Sequence, residues 1–188
     1  MKVALFYYDG FSEFEIVLTA LFFKDQGLIS VALEDREYRS EESQRFIADK
    51  VLSEIDPGSI DLFIIPGGSP DKLVNHLGLK SFIQELIKEN KKIAAICGGA
   101  SLLAGMGLLK GKKCTGMSSG RDSSRPSFQY YSESIFLDDE VVVDGNLITA
   151  QGQAYVEFAV ELARQMGLCE KEEEYTDALK WFKNIRGD

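Results

Sequence analysis

Lys92-Ile93-Ala94-Ala95-Ile96-Cys97-Gly98-Gly99-Ala100 is the stretch on which the reading of this chain turns. A short, almost wholly apolar run stops abruptly at Cys97-Gly98-Gly99, and small helix-favouring residues follow from 100 to 106. That pattern reads as a strand buried on both faces, a tight turn and a helix. The two glycines are expected to make the reversal, because a bulky residue would obstruct it. The Cys97 side chain is then left projecting at the bend, in the manner of a serine nucleophile elbow.

Working outward, the same grammar recurs. Residues 3–8 are continuously apolar or aromatic until Asp9-Gly10, which reads as a first central strand. Phe14, Val17, Leu18, Leu21 and Phe22 then repeat at helical spacing up to Gly27, with an inward-packing apolar face and Ser12 as the expected N-cap. Residues 28–33 read as a second strand, and the charged segment 34–43 as an exposed loop or hairpin tip. Residues 61–65 form another buried strand, ending at Pro66-Gly67-Gly68, before a helix on which Phe82, Leu86 and Ile87 share a face.

Downstream, residues 118–127 are polar, and 135–137, 141–143 and 147–149 suggest a small β meander. Residues 156–166 and 175–185 read as amphipathic helices, the second carrying the lone tryptophan, Trp181, after a solvated acidic start at 170–174. Buried strands alternating with helices imply an α/β fold with a mostly parallel central sheet between helical layers and right-handed crossovers. The expected organisation is one domain over residues 1–188. In such sheets ligands sit beyond the carboxyl ends of the strands, where Asp9-Gly10, Pro66-Gly67-Gly68 and Cys97-Gly98-Gly99 all fall.

Composition narrows the partners. With 30 acidic against 21 basic residues, the formal net charge is -9, which repels phosphate backbones and anionic lipid surfaces. No nucleic acid and no membrane partner is expected; the partner expected for the site at Cys97 is a small-molecule substrate. The three cysteines, at 97, 114 and 169, have no paired spacing, so neither a disulfide framework nor a metal site is suggested, and no cofactor is invoked. No apolar run approaches the roughly 18 residues of a membrane span, and the first eight residues meet Asp9-Gly10 too soon for a signal segment. A reducing, cytoplasmic setting is the expectation.

The chemistry centres on Cys97. A helix starting just after it points free N–H groups and a positive dipole end at the sulfur, so a low thiol pKa is expected. The plainer reading, a small buried hydrophobe, is the commoner fate of an isolated cysteine. Glu13 and Glu15 both lie just past the first strand, and a carboxyl held at the elbow would hydrogen-bond the sulfur and, once buried, keep its proton. Gly67, Gly68 and Gly98 could offer backbone N–H groups to an oxyanion, or form ordinary βα turns. His76, the only histidine, sits like a surface residue or helix cap, and Cys114 and Cys169 have no comparable context.

These residues resemble the DJ-1/PfpI superfamily, also called ThiJ/PfpI and related to the class I glutamine amidotransferases. The resemblance spans almost the whole chain. It rests on Asp9-Gly10-Phe11 with Glu15, Ile64-Ile65-Pro66-Gly67-Gly68, Ala94-Ala95-Ile96-Cys97-Gly98-Gly99-Ala100, Gly107-Leu108-Leu109-Lys110-Gly111 and Leu147-Ile148-Thr149-Ala150-Gln151-Gly152. It implies a flavodoxin-like three-layer sandwich, Cys97 as the elbow cysteine, Glu15 as its protonated partner, the backbone of Gly68 and Gly98 as the oxyanion site, and a homodimer.

One departure matters. Where hydrolytic members usually carry Thr-Thr-His, this chain reads Cys114-Thr115-Gly116-Met117, so Met117 stands in the histidine's place. Without that base no Cys–His dyad forms there, and peptidase activity is not expected. The expectation is a cysteine-nucleophile enzyme of hydrolase, lyase, glyoxalase/deglycase or amidotransferase-like type acting on a small electrophile, with residues 118–131 overhanging the cleft. The alternatives are an oxidative-stress sensor or chaperone-like protein working through Cys97 oxidation, and a partner-binding scaffold with a vestigial elbow.

Overall fold

The computed structural model describes residues 1–117, 124 and 126–185. Four apolar runs become the fully or almost fully buried strands β1 (Val3–Phe6), β6 (Leu62–Ile65), β7 (Lys92–Ile96) and β11 (Leu147–Ala150). Between β1 and β6 lie β2 (Leu28–Ala32), the antiparallel hairpin of β3 (Glu37–Arg39) and β4 (Arg45–Ile47), and the two-residue β5 (Lys50–Val51). The charged segment is thus a hairpin, one of the two forms expected.

β8 (Lys113–Cys114), β9 (Ile135–Phe136) and β10 (Val141–Asp144) complete the strands among the described residues. The main sheet runs β10-β11-β7-β6-β1-β2-β5, parallel throughout except where β10 pairs antiparallel with β11. Residues 135–150 are therefore shared out: β10 and β11 form one edge of the main sheet, while β9 pairs in parallel with β8.

Strands buried on every residue need cover on both faces, and helices supply it. Among the described residues the α-helices are α1 (Val17–Phe23), α2 (Leu77–Lys88), α3 (Gly98–Gly105), α4 (Tyr155–Gln165) and α5 (Glu172–Phe182). α1 packs on α4 and α4 on α5, while α2 and α3 lie against β7. α2 buries Leu79, Phe82, Ile83 and Leu86, and His76 caps it, its Nδ1 accepting the Leu79 N–H at 3.0 Å.

The first helix departs from expectation in two ways. It starts at Val17, and Ser12 is not its cap, because the Ser12 hydroxyl donates instead to Glu41. Phe14, Val17 and Leu21 face solvent, while Leu18 and Phe23 are buried. α1 has no side-chain cap; the turn before it is held by the segment between β3 and β4, where Glu42 accepts the N–H groups of Glu13 (3.0 Å) and Phe14 (3.3 Å).

From β1 the chain moves to β2 on one side, then crosses to β6 on the other. The order reverses between β1 and β6, so their carboxyl ends form a topological switch point.

Candidate active site

The sharp turn at 97 is made by the cysteine itself. Cys97 has φ 54° and ψ -119°, a conformation that costs an L-residue about 1–3 kcal/mol. Gly98 and Gly99, expected to make the reversal, are instead the first residues of α3. Their lack of a side chain serves close packing: a Cβ on Gly99 would lie 2.6 Å from the carbonyl oxygens of Ile65 and Pro66. The strain persists because both flanks are fixed. The Cys97 N–H donates to the Ala150 carbonyl of β11 at 2.8 Å, and the Cys97 carbonyl accepts from Ala100 at 3.2 Å.

Glu15 comes from the turn between β1 and α1, where the Ile16 N–H donates to Glu13 at 3.0 Å, and not from the helix itself. It is 2% exposed. Its Oε2 accepts the Gly67 N–H at 2.9 Å, and its carboxyl hydrogen-bonds the Cys97 thiol. Of the two acids weighed, Glu15 reaches the elbow. Glu13 stays partly exposed beside Glu42.

Two glycines clamp the pair. A Cβ at Gly67 would come within 2.1 Å of Glu15 Oε2 and 2.6 Å of Cys97 Cβ, and one at Gly152 within 2.7 Å of Glu15 Oε1 and 3.0 Å of the sulfur. The turn after β6 is braced by Tyr8, whose hydroxyl donates to the carbonyls of Gly67 (2.5 Å) and Pro66 (3.1 Å). Burial and the neighbouring Glu15 charge push the Tyr8 phenol well above its ordinary value, so it stays a donor.

The electrostatics correct one expectation. Burial, then the charge and hydrogen bond of Glu15, push the Cys97 thiol up to about 12, against the low value expected from the helix terminus. The N–H groups of Gly98 and Gly68 act in the opposite direction but are outweighed. Burial also pushes the Glu15 carboxyl up to about 7, against the lowering effect of its hydrogen bonds to Cys97 and Gly67. The two groups therefore titrate as a unit.

Of the three glycines considered for an oxyanion site, Gly67 spends its N–H on Glu15, whereas those of Gly68 and Gly98 are directed at the sulfur. Gly68 adopts φ 104°, and a backbone bridge to Phe11 ties it to the loop after β1.

The segment bearing Met117 passes beside the elbow: a Cβ on the preceding Gly116 would sit 3.5 Å from the Cys97 carbonyl oxygen and 2.7 Å from the Tyr131 hydroxyl. That hydroxyl lies 2.9 Å from Ser101 Oγ in α3. Residues 118–123 and 125 of the expected overhang lie outside the described residues. Of the rest, Tyr131 is buried and Phe128 exposed.

Tyr8 and Ser101 escaped the reading of the residues, whereas Gly152 entered only through the family resemblance and Tyr131 only as the end of the expected overhang. Gly152 alone carried a local signal, a glycine just past a buried strand, like those at 10, 67 and 98. Among the described residues no group of His, Cys, Asp and Glu is placed to hold a metal ion, and no helix is long and apolar enough to cross a membrane.

Comparison with known proteins adds an independent line. The DJ-1/PfpI family model matches residues 1–165. A deglycase of Thermococcus kodakarensis, TK1284, is 27% identical over 80% of this chain and 90% of its own. YraA of Bacillus subtilis is 30% identical over 80% of this chain and 88% of its own. The structure of Schizosaccharomyces pombe DJ-1 superposes with a TM-score of 0.76 at 26% identity, covering 100% of each chain.

Proposed function

The chain belongs to the DJ-1/PfpI family, and from that premise we propose that it is an enzyme using Cys97 as nucleophile toward a small reactive carbonyl compound. The observation that carries this reading is the strained elbow at Cys97, with its thiol hydrogen-bonded to a carboxyl of nearly neutral pKa. Strain of this kind persists where function retains it.

The chemistry follows from the shared proton. With one proton on the pair, the thiol/carboxylate and thiolate/carboxylic acid forms carry the same net charge, and transfer of that proton interconverts them. The thiolate adds to an aldehyde carbon, forming the C–S bond as the C=O pair moves onto oxygen. The N–H groups of Gly68 and Gly98, directed at the sulfur in the free site, are the donors nearest to receive that oxyanion, and Glu15 delivers the proton to it. For a 2-oxoaldehyde, Glu15 relays the hydrogen from the former aldehyde carbon to the neighbouring one, giving a thioester. One water then cleaves it to a 2-hydroxy acid and the free thiol. The names of two relatives, the Thermococcus deglycase and an Escherichia coli protein/nucleic acid deglycase 25% identical over 76% of this chain, favour such substrates. Met117 in place of a histidine argues against peptide cleavage, which needs a proton donor for the leaving amine.

The test is turnover of methylglyoxal and its amine adducts, together with the pH profile of Cys97 alkylation. Activity should vanish in Cys97→Ser and fall in Glu15→Gln. Alkylation should rise through about pH 7 as the first proton leaves the pair, then level off. In Glu15→Gln that step should disappear. Identical profiles in the two proteins would defeat the reading.

A second reading has its own support, since Glu15 and the N–H groups of Gly68 and Gly98 all address the sulfur. Two peroxides in turn would oxidise the thiol to sulfenic and then sulfinic acid, releasing two waters, with those donors holding the product. Gain of two oxygen atoms at Cys97 by mass spectrometry, with no carbonyl turnover, would favour it. Homodimerisation belongs to the same proposal, supported by the exposed Val17 and Leu21 of α1 and Phe14 just before it. A purely monomeric sedimentation profile would remove it.

A further inference from the structure

The turn after β6 has two sides. Gly67 faces Glu15 and Cys97, whereas Ser69 lines a cavity of about 500 Å³ whose walls include neither of those residues. This volume lies within the range of small-molecule sites. The walls come from the segments after β1, β2 and β6, so the cavity occupies the switch-point crevice where open α/β sheets receive ligands.

Its polar groups fall into two classes. On one wall Arg36 contacts Asp9 at 2.7 Å and Glu34 at 2.9 Å and lies 4.0 Å above the Tyr38 ring, so these charges satisfy each other. Elsewhere in the lining Lys72 Nζ, whose charge helps to lower the Asp9 carboxyl, His76 Nε2 and the Ser69 hydroxyl have no hydrogen-bond or ion-pair partner among the described residues. His76 Nδ1 accepts the Leu79 N–H, which leaves the ring proton on Nε2. With the Tyr7 hydroxyl, which also lines the cavity without a partner among the described residues, the unengaged groups are four donors, one of them cationic. Lys72 is the single cation of the lining without an ion pair, so one carboxylate matches it, whereas a dianion would add uncompensated charge to a protein of net charge -9.

A second cavity, of about 270 Å³, shares Leu33 and His76 with the first and is otherwise mostly apolar, with Leu52, Ile55, Pro57 and Phe82 in its walls. We propose that the two cavities form one binding site for a small monocarboxylate with an apolar body. Its carboxylate meets Lys72, His76 and Ser69, and its body runs past Leu33 toward Leu52, Ile55 and Phe82. This site is separate from the Cys97 chemistry and goes beyond it.

Titration of the full chain with sodium octanoate, followed by amide NMR shifts and thermal unfolding, tests the proposal. Saturable shifts centred on Ser69, Leu73 and His76 are expected, with affinity falling about fourfold for each methylene removed toward butyrate. Lys72→Met, at an exposed position, should weaken octanoate about tenfold or more. Cys97→Ser should leave it unchanged, so loss of this site and loss of the nucleophile read separately. Octylamine binding as tightly as octanoate, inorganic phosphate binding more tightly, shifts centred elsewhere, or no saturation would each overturn it.

Discussion

Asp9 and Glu15 leave the end of the same strand, six residues apart, and are driven in opposite directions. The Asp9 side chain is 57% exposed, and its hydrogen bond to Arg36 holds its carboxyl below the ordinary value. Glu15 is 2% exposed and reaches about 7, because burial outweighs its hydrogen bonds to Cys97 and Gly67 while Glu41 and Glu42 add like charge. Sequence proximity is common to both. Whether a residue's own loop turns it toward a guanidinium at the rim or a sulfur in the interior decides its chemistry, and a buried carboxyl of nearly neutral pKa is one that can pass a proton at neutral pH.

The sharpest way to break the contrast is to deny Glu15 its room. Gly67→Ala would place a methyl 2.1 Å from the oxygen that the same residue's N–H now holds. Either the turn shifts or the carboxyl swings away and loses its donor. Overpacking and an orphaned buried group each cost about 1–3 kcal/mol, so a loss of about 4 kcal/mol is expected in urea unfolding. A change under 1 kcal/mol would show that the pair is not clamped as described.

Glu15→Gln should act in the other direction on stability. A folded-state pKa of about 7 against 4.5 unfolded means that the native state holds the proton more tightly between those values. Stability from this group is then lost as pH rises from 4.5 to 7 and stays lost above, by up to about 3 kcal/mol. The variant should therefore be more stable than the parent at pH 8 by about 2–3 kcal/mol, with the gain gone by pH 4.5. An equal gain at both pH values would mean that charge burial is not its source. The comparison is sharpened further because the same substitution is expected to slow turnover, setting stability against activity at one side chain.

The strand at 92–96 and the turn after it were legible because a run of apolar residues closed by glycines is a local signal. The residue that makes the turn was not. Cys97 takes the strained φ, since Gly98 and Gly99 are needed where α3 crowds the end of β6, a contact between segments some thirty residues apart. Periodicity likewise gave the stripe Phe14, Val17, Leu21 but not its direction. The start of α1 was hidden because the turn before it is held by Glu41 and Glu42 from a distant segment, which takes Ser12 away from the helix end. The thiol's raised pKa was illegible for a related reason: the helix terminus can be read from the chain, but the burial and the facing carboxylate that overrule it exist only in the folded protein.

The smallest effect is expected at the exposed end of the comparison. Asp9→Asn removes the 2.7 Å pair with Arg36, yet both side chains are about half exposed and Glu34 still holds the guanidinium at 2.9 Å. Pairs of this kind contribute about 0.2–1 kcal/mol and are screened by salt. Because the folded-state pKa of Asp9 is lowered from 3.8, its contribution is present above that value and fades as pH falls below it. Unfolding at neutral pH and low salt should thus show a loss under about 1 kcal/mol, erased in about 1 M salt. A larger loss, or one that salt leaves intact, would mean that Asp9 is as much a part of the interior as Glu15, and the distinction between the two acids would fail.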